Sequence, residues 1–162
     1  MNTHNRLIGL ALAAIGAPLL LIALQVAPAY PDSNKKLVIV VNKNNTVDEL
    51  SANELRNIFL GKMSFWPNGA SVKMCDLTEP AVDDESSSRA VLARRFLHKE
   101  LTTLKIYWIK MIFSGKGRPP SSVGSADEVI RFVSSHEGGI GYVEPQYVTG
   151  EVKTIKITGS GG

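Results

Sequence analysis

The sequence predicts an α/β domain, a mixed sheet covered by helices, and three observations carry that prediction. Leu37–Val41 (Leu-Val-Ile-Val-Val) is an unbroken apolar run rich in β-branched residues, the pattern of a strand buried on both faces. Elsewhere apolar residues recur at helical spacing, most plainly Leu104, Tyr107, Trp108, Met111 and Ile112. Strand-like and helix-like segments follow one another in the order β-α-β-α-α-α-β-β, which implies a parallel or mixed sheet with helices on its faces.

Residues 1–29 stand outside that pattern and read as a secretory signal. Met1–Arg6 is short and polar with one cation, Arg6. Leu7–Leu24 is almost wholly apolar, and Ala27-Pro28-Ala29 places small residues where a signal peptidase cuts. An uncleaved N-terminal membrane anchor is the competing reading, because the run approaches the ~20 residues of a bilayer span. Gly9, Gly16 and Pro18 weaken a rigid spanning helix, and the cleavage pattern favours removal. No cysteine follows the run, so a lipid-anchored N-terminus is not expected. Residues 30–162 then suit one domain with one core, working in the periplasm or outside the cell.

The chain carries 18 Lys and Arg against 15 Asp and Glu. That balance argues for neither nucleic acid nor a membrane surface as partner. The single cysteine, Cys75, forms no internal bridge and lies in the strand-like run Val72–Asp76, which fits burial as a small hydrophobe.

The elements follow in order. After the first strand, Asn42–Asn45 supplies turn residues. Ser51 and Glu54 form a capping box, Leu50 and Leu55 occupy the staple positions, and Leu55, Ile58 and Phe59 make one apolar stripe. Gly61 ends that helix and Trp66-Pro67-Asn68-Gly69 reverses the chain. Val72–Leu77 is the second strand. A polar stretch over 79–85 leads to a helix over about Ser87–Lys99, with acids before it and Arg94, Arg95, His98 and Lys99 at its end. A third helix starts near Thr102 or Thr103, buries the five-residue face named above, and stops at Gly115. Lys116–Gly124 reads as a loop. Ser125 and Glu128 form a second capping box for a helix with Val129, Ile130, Phe132 and Val133, closed by Gly138 and Gly139. Ile140–Val143 and Val152–Ile157 are the last strands, and Thr158–Gly162 is a tail.

Enzyme signatures are missing from the sequence. There is no G-x-S-x-G, S-x-x-K or H-E-x-x-H, and Ser114-Gly115-Lys116-Gly117 does not match a P-loop. His98 and His136 have no neighbours at metal-ligand spacing, and His4 lies in the signal. No cofactor or metal is implied. Asp83-Asp84-Glu85 reads as solvated charge before a helix rather than a catalytic pair. Two features suit an anion. Ser86-Ser87-Ser88-Arg89 opens a helix, where free N–H groups, hydroxyls and a guanidinium could cradle a tetrahedral oxyanion; capping alone explains one serine and stands beside that reading. Lys116-Gly117-Arg118-Pro119-Pro120 places two cations on a stiffened loop, which suits an anion, a partner or plain solvent.

Val40–Asn45, then Leu50–Lys62, then Trp66 resemble the crossover strand and following helix of phosphate ABC transporter substrate-binding proteins. Gly138-Gly139-Ile140-Gly141-Tyr142-Val143 resembles that family's G-x-I-G-Y-V strand, and Val152–Ile157 its return strand. The resemblance covers about Leu37–Ile157. It implies a lobe of a periplasmic-binding-protein type II fold, in which two α/β lobes close on phosphate and deliver it to a membrane permease. It also implies that the phosphate-binding helix start of the family corresponds to Ser86, Ser87, Ser88 and Arg89. The glycine and threonine of the family's segment are absent here, and only Tyr30–Lys36 separates the signal from the crossover strand, so the sequence accounts for one lobe. Two functions follow as expectations. The first is an exported protein that binds phosphate or a similar oxyanion for ABC-type uptake or sensing. The second is a single-lobe domain without transport function that acts as a periplasmic interaction or sensory module, for instance with a sensor protein at the membrane. Neither is an enzyme.

Overall fold

The computed structural model describes residues 35–78 and 86–159. The expected signal, the acidic run Asp83–Glu85 and the end of the C-terminal tail lie outside the described residues. The elements are β1 (Val38–Asn42), β2 (Glu49–Ser51), α1 (Ala52–Phe59), β3 (Lys73–Leu77), α2 (Ser88–Arg95), α3 (Leu101–Phe113), β4 (Ser121–Val123), α4 (Ala126–Ser135), β5 (Gly139–Val143) and β6 (Val152–Thr158), with a 3-10 turn at Pro145–Tyr147.

They build a six-stranded mixed sheet in the order β2-β6-β1-β5-β3-β4. β1 sits inside it, antiparallel to β5 on one side and β6 on the other, which is why its apolar run has no polar face. β5, β3 and β4 run parallel to one another, and so do β2 and β6. Helices cover both faces. Gly141 of β5 lies against Cys75, Val129 and Val133, so α4 packs on one face there. The next residue points the other way, and the Tyr142 ring meets Phe59 of α1 edge-on with centroids 5.9 Å apart.

Local chemistry sets the ends of the helices. The first capping box is complete: Ser51 Oγ accepts from Glu54 N–H, and the Glu54 carboxylate accepts from Ser51 N–H at 2.8 Å. Gly61 follows α1 at φ 67°, a conformation that glycine adopts without strain. Asn42 donates to the carbonyls of Val133 and Ser134 and closes the end of α4.

Several boundaries differ from the sequence expectation. α2 stops at Arg95 rather than near Lys99, because His98 turns left-handed (φ 50°) and Lys99 N–H closes back on the Ala93 carbonyl. The second capping box is half formed: Ser125 Oγ accepts from Glu128 N–H, but the Glu128 carboxylate accepts from Gly124 N–H at 2.6 Å instead of Ser125. The Lys116–Gly124 loop contains β4, and β2 precedes α1; both are three-residue strands too short to show a period. The expected buried face of α3 is narrower than its pattern: Leu104 and Trp108 are buried and Tyr107 and Met111 half-buried, but Ile112 is exposed.

Candidate functional site

Connectivity creates a switch point in the parallel part of the sheet. After β3 the chain enters α2, on the face that carries Asp76, Tyr142 and α1. After β4 it enters α4, on the opposite face. Strand ends whose following helices leave to opposite faces open a crevice at their carboxyl edge, the usual ligand position of an open α/β sheet. The structure has a cleft of about 230 Å³ there. Leu77 from the end of β3, Ser88 from the start of α2, Gly124–Asp127 between β4 and α4, and Glu144 and Tyr147 after β5 line it.

The cleft suits an anion in part. The N-terminal turns of α2 and α4 both border it, and each brings N–H groups and the positive end of a helix dipole. The hydroxyls of Ser88 and Ser125 add short donors. Asp127 and Glu144 oppose an anion, although Lys35 Nζ lies 3.9 Å from Glu144. Glu128 already takes one backbone donor, that of Gly124.

The four serine-segment residues are brought to one helix start but do different things. Ser87 is the N-cap of α2, buried, and its Oγ accepts from Ala90 N–H at 3.1 Å. Ser88 is buried and reaches the cleft wall. Ser86 precedes the cap and is half-buried. Arg89 turns toward Asp76, with Nε 2.8 Å from Oδ2; that is ion-pair distance, but the N–H is not aligned for a hydrogen bond. Within the segment Ser87 caps the helix and Ser88 lines the cleft.

Asp76 and Tyr142, both buried and neither singled out in the sequence, join Arg89 in a polar trio next in the chain to Leu77 and Ser88 of the cleft lining. Asp76, 7% exposed, accepts a short hydrogen bond from Tyr142 Oη, and the same Oη accepts from Leu77 N–H at 3.2 Å. Burial pushes the Asp76 carboxyl above the usual carboxylate range, while the Arg89 charge and the Tyr142 hydroxyl pull the other way. Burial, then the Asp76 charge, lifts the Tyr142 hydroxyl well above its ordinary value. The trio ties the end of β3 to β5 and anchors Arg89. The readable signal was an acid, Asp76, between the apolar residues Cys75 and Leu77.

Cys75 is fully buried, and its thiol is pushed up to about 12, chiefly by burial, so it is an inert core residue. His136 stacks on Phe132 with centroids 4.3 Å apart. His98 is exposed beside Arg94 and Lys99. Among the described residues no group of three or more His, Cys, Asp or Glu could hold a metal ion. Lys116 and Arg118 lie exposed, away from the cleft lining.

No protein-family model matches the chain, and no curated protein sequence matches it. Solved structures do. An ABC-type phosphate transport receptor from Vibrio cholerae superposes with a TM-score of 0.55 at 20% identity, over 78% of this chain and 47% of that one. A phosphate ABC transporter substrate-binding protein from Clostridium perfringens, solved with bound phosphate, gives 0.59 at 17% identity, over 78% and 46%. PstS from Borrelia burgdorferi gives 0.57 at 15% identity, over 79% and 49%. The chain therefore has the fold of these binding proteins and spans about half the length of each.

Proposed function

We propose that this protein is an exported receptor that binds phosphate or a similar tetrahedral oxyanion and serves ABC-type uptake or sensing. The observation that carries the reading is the cleft at the carboxyl edge of β3 and β4, where the N-terminal turns of α2 and α4 converge beside Ser88 and Ser125. Backbone N–H groups at two helix starts, with two hydroxyls, match the acceptor-rich surface of an oxyanion. Likeness in fold to phosphate receptors supports the same ligand class. The apolar N-terminal run with its Ala27-Pro28-Ala29 site supports export, and a membrane permease is then the natural partner.

Within the serine segment, Ser88 is the donor to the ligand, Ser87 holds the helix start, and Arg89 contributes field from its place beside Asp76. Asp127 and Glu144 set a preference for an anion that still carries a proton to donate, such as monohydrogen phosphate over sulfate. The test is thermal melting against phosphate, with sulfate as control. A ligand at 100 times its Kd adds ~2.7 kcal/mol, a rise of roughly 10 °C for a domain of this size. Ser88→Ala with Ser125→Ala should remove most of the phosphate-dependent rise while sulfate stays silent throughout. No rise at millimolar phosphate sinks the reading.

The same two acids favour a second reading, a lobe that has left transport and engages a protein instead. In that case phosphate leaves the melting curve unchanged, and an Asp127→Asn, Glu144→Gln variant loses its partner.

A further inference from the structure

Positive charge is unevenly placed on this chain. Residues 94–118 hold seven of the 18 Lys and Arg and a single acid, Glu100, so the small net charge of +3 hides one strongly basic stretch on an otherwise acidic sequence. α3 runs through the middle of that stretch, and its burial is one-sided. Leu101, Leu104 and Trp108 are buried. Ile106, Ile109, Ile112 and Phe113 are 47, 52, 52 and 86% exposed. Scattered apolar side chains on a surface are ordinary, but four large ones on two turns of one helix mark a surface that is covered in use.

Helix spacing interleaves these side chains with cations. Lys110 follows Ile106 by four residues and precedes Phe113 by three, and Lys105 precedes Ile109 by four; residues so spaced are neighbours on the helix surface. Gly115 then turns the chain at φ 66°, and exposed Lys116 and Arg118 follow.

We infer that α3 is a membrane-docking face, for a bilayer surface that carries anionic phospholipid head groups. Ile106, Ile109, Ile112 and Phe113 enter the boundary between head groups and acyl chains, and Lys110, Lys116 and Arg118 reach the phosphates. The cations select an anionic bilayer as the occupant. At ~100° per residue Lys110 stands about 40° to one side of Ile106 and about 60° from Phe113, on the flank of the apolar face. At a bilayer the same side chain extends along the apolar surface and keeps its charge in the head-group layer. The mode is surface binding, since α3 has 13 residues and a span needs about 20. Among the described residues no helix is long and apolar enough to cross a membrane.

The experiment mixes the full-length protein with vesicles of phosphatidylcholine alone, or of phosphatidylcholine with phosphatidylglycerol, and reads the bound fraction by sedimentation. Wild type should prefer the anionic vesicles. Lys110→Gln with Lys116→Gln should weaken that binding about 25-fold, from roughly fivefold for each cation near an anionic surface. Ile109→Ser with Phe113→Ser should weaken it roughly thirtyfold, from loss of buried apolar area. If the apolar pair fails to fold, the lysine pair, on exposed side chains, still decides. Binding that ignores both pairs, or does not distinguish the two kinds of vesicle, overturns the inference and assigns any vesicle binding to Leu7–Leu24. A wild-type dimer that binds no vesicles, and that Ile109→Ser with Phe113→Ser dissolves, also overturns it and gives the face to a second copy.

Discussion

At the scale of single residues, the Asp76–Tyr142–Arg89 trio concentrates the buried electrostatics of the described residues. Tyr142 Oη donates to Asp76 and accepts from Leu77 N–H, so one hydroxyl satisfies two buried groups. Tyr142→Phe leaves Leu77 N–H unpaired and Asp76 with its Arg89 contact alone. A buried unsatisfied group costs about 1–3 kcal/mol, so the melting temperature should fall by roughly 4–12 °C, while sheet content by circular dichroism stays unchanged. Asp76 supplies a prediction with a sign. Its carboxyl is raised in the folded protein, first by burial. The unfolded chain therefore gives up this proton at lower pH than the folded one. The stability the group contributes is complete below the ordinary carboxylate value and is lost as pH rises through the folded value. Asp76→Asn has no such proton. Its melting temperature should lie furthest below wild type near pH 4 and approach wild type at neutral pH. A gap that widens from pH 4 to pH 7 would show that the Arg89 contact, not burial, governs Asp76.

At the scale of elements, legibility followed period and punctuation. β1 and α1 were readable because five successive apolar residues and a complete capping box leave little freedom. β2 and β4 were not, since three residues hold no period and their pairing is set by β6 and β3 from far along the chain. The end of α2 was hidden in a left-handed histidine, a conformation uncommon for any residue with a Cβ. At the candidate site, the hydroxyls of the serine segment stood out in the sequence, but the split between capping Ser87 and cleft-lining Ser88 depends on the helix register and could not be read from composition. Gly124–Asp127 and Glu144 were missed because a cleft at a switch point belongs to sheet order, which emerges only when β4 and β5 flank β3. Gly141 shows what a short motif encodes in packing. A Cβ there would lie 2.7 Å from Cys75 Sγ and 2.7 Å from Val129 Cγ1. Gly141→Ala should cost about 1–3 kcal/mol through overpacking between β5 and α4. Val129→Ala, destabilising alone, should return part of that loss when the two are combined. Strict additivity in that double-mutant cycle would mean that the strain lies in the backbone instead.

At the scale of the whole molecule, the decisive fact is that the chain has the fold of binding proteins about twice its span. Its cleft lies at a strand edge, bordered by α2, α4 and the turn after β5, and a ligand there keeps one side in water. Hydrogen bonds to an anion are weakened by that exposure, because the surrounding dielectric stays high. Closure by a second surface excludes the water and strengthens the same contacts, and the simplest second surface is another copy of this chain, since its cleft offers matching donors. Phosphate and self-association would then be linked: each favours the other by the same factor. The prediction is specific. Phosphate should shift sedimentation velocity profiles from monomer toward dimer, and the phosphate-dependent rise in melting temperature should grow with protein concentration, as mass action requires. With Ser88 in its proposed role as donor to the ligand, Ser88→Ala should weaken both effects together. A melting rise that is independent of protein concentration would mean that the single lobe holds its ion unaided, and the cleft donors would then have to carry the whole affinity.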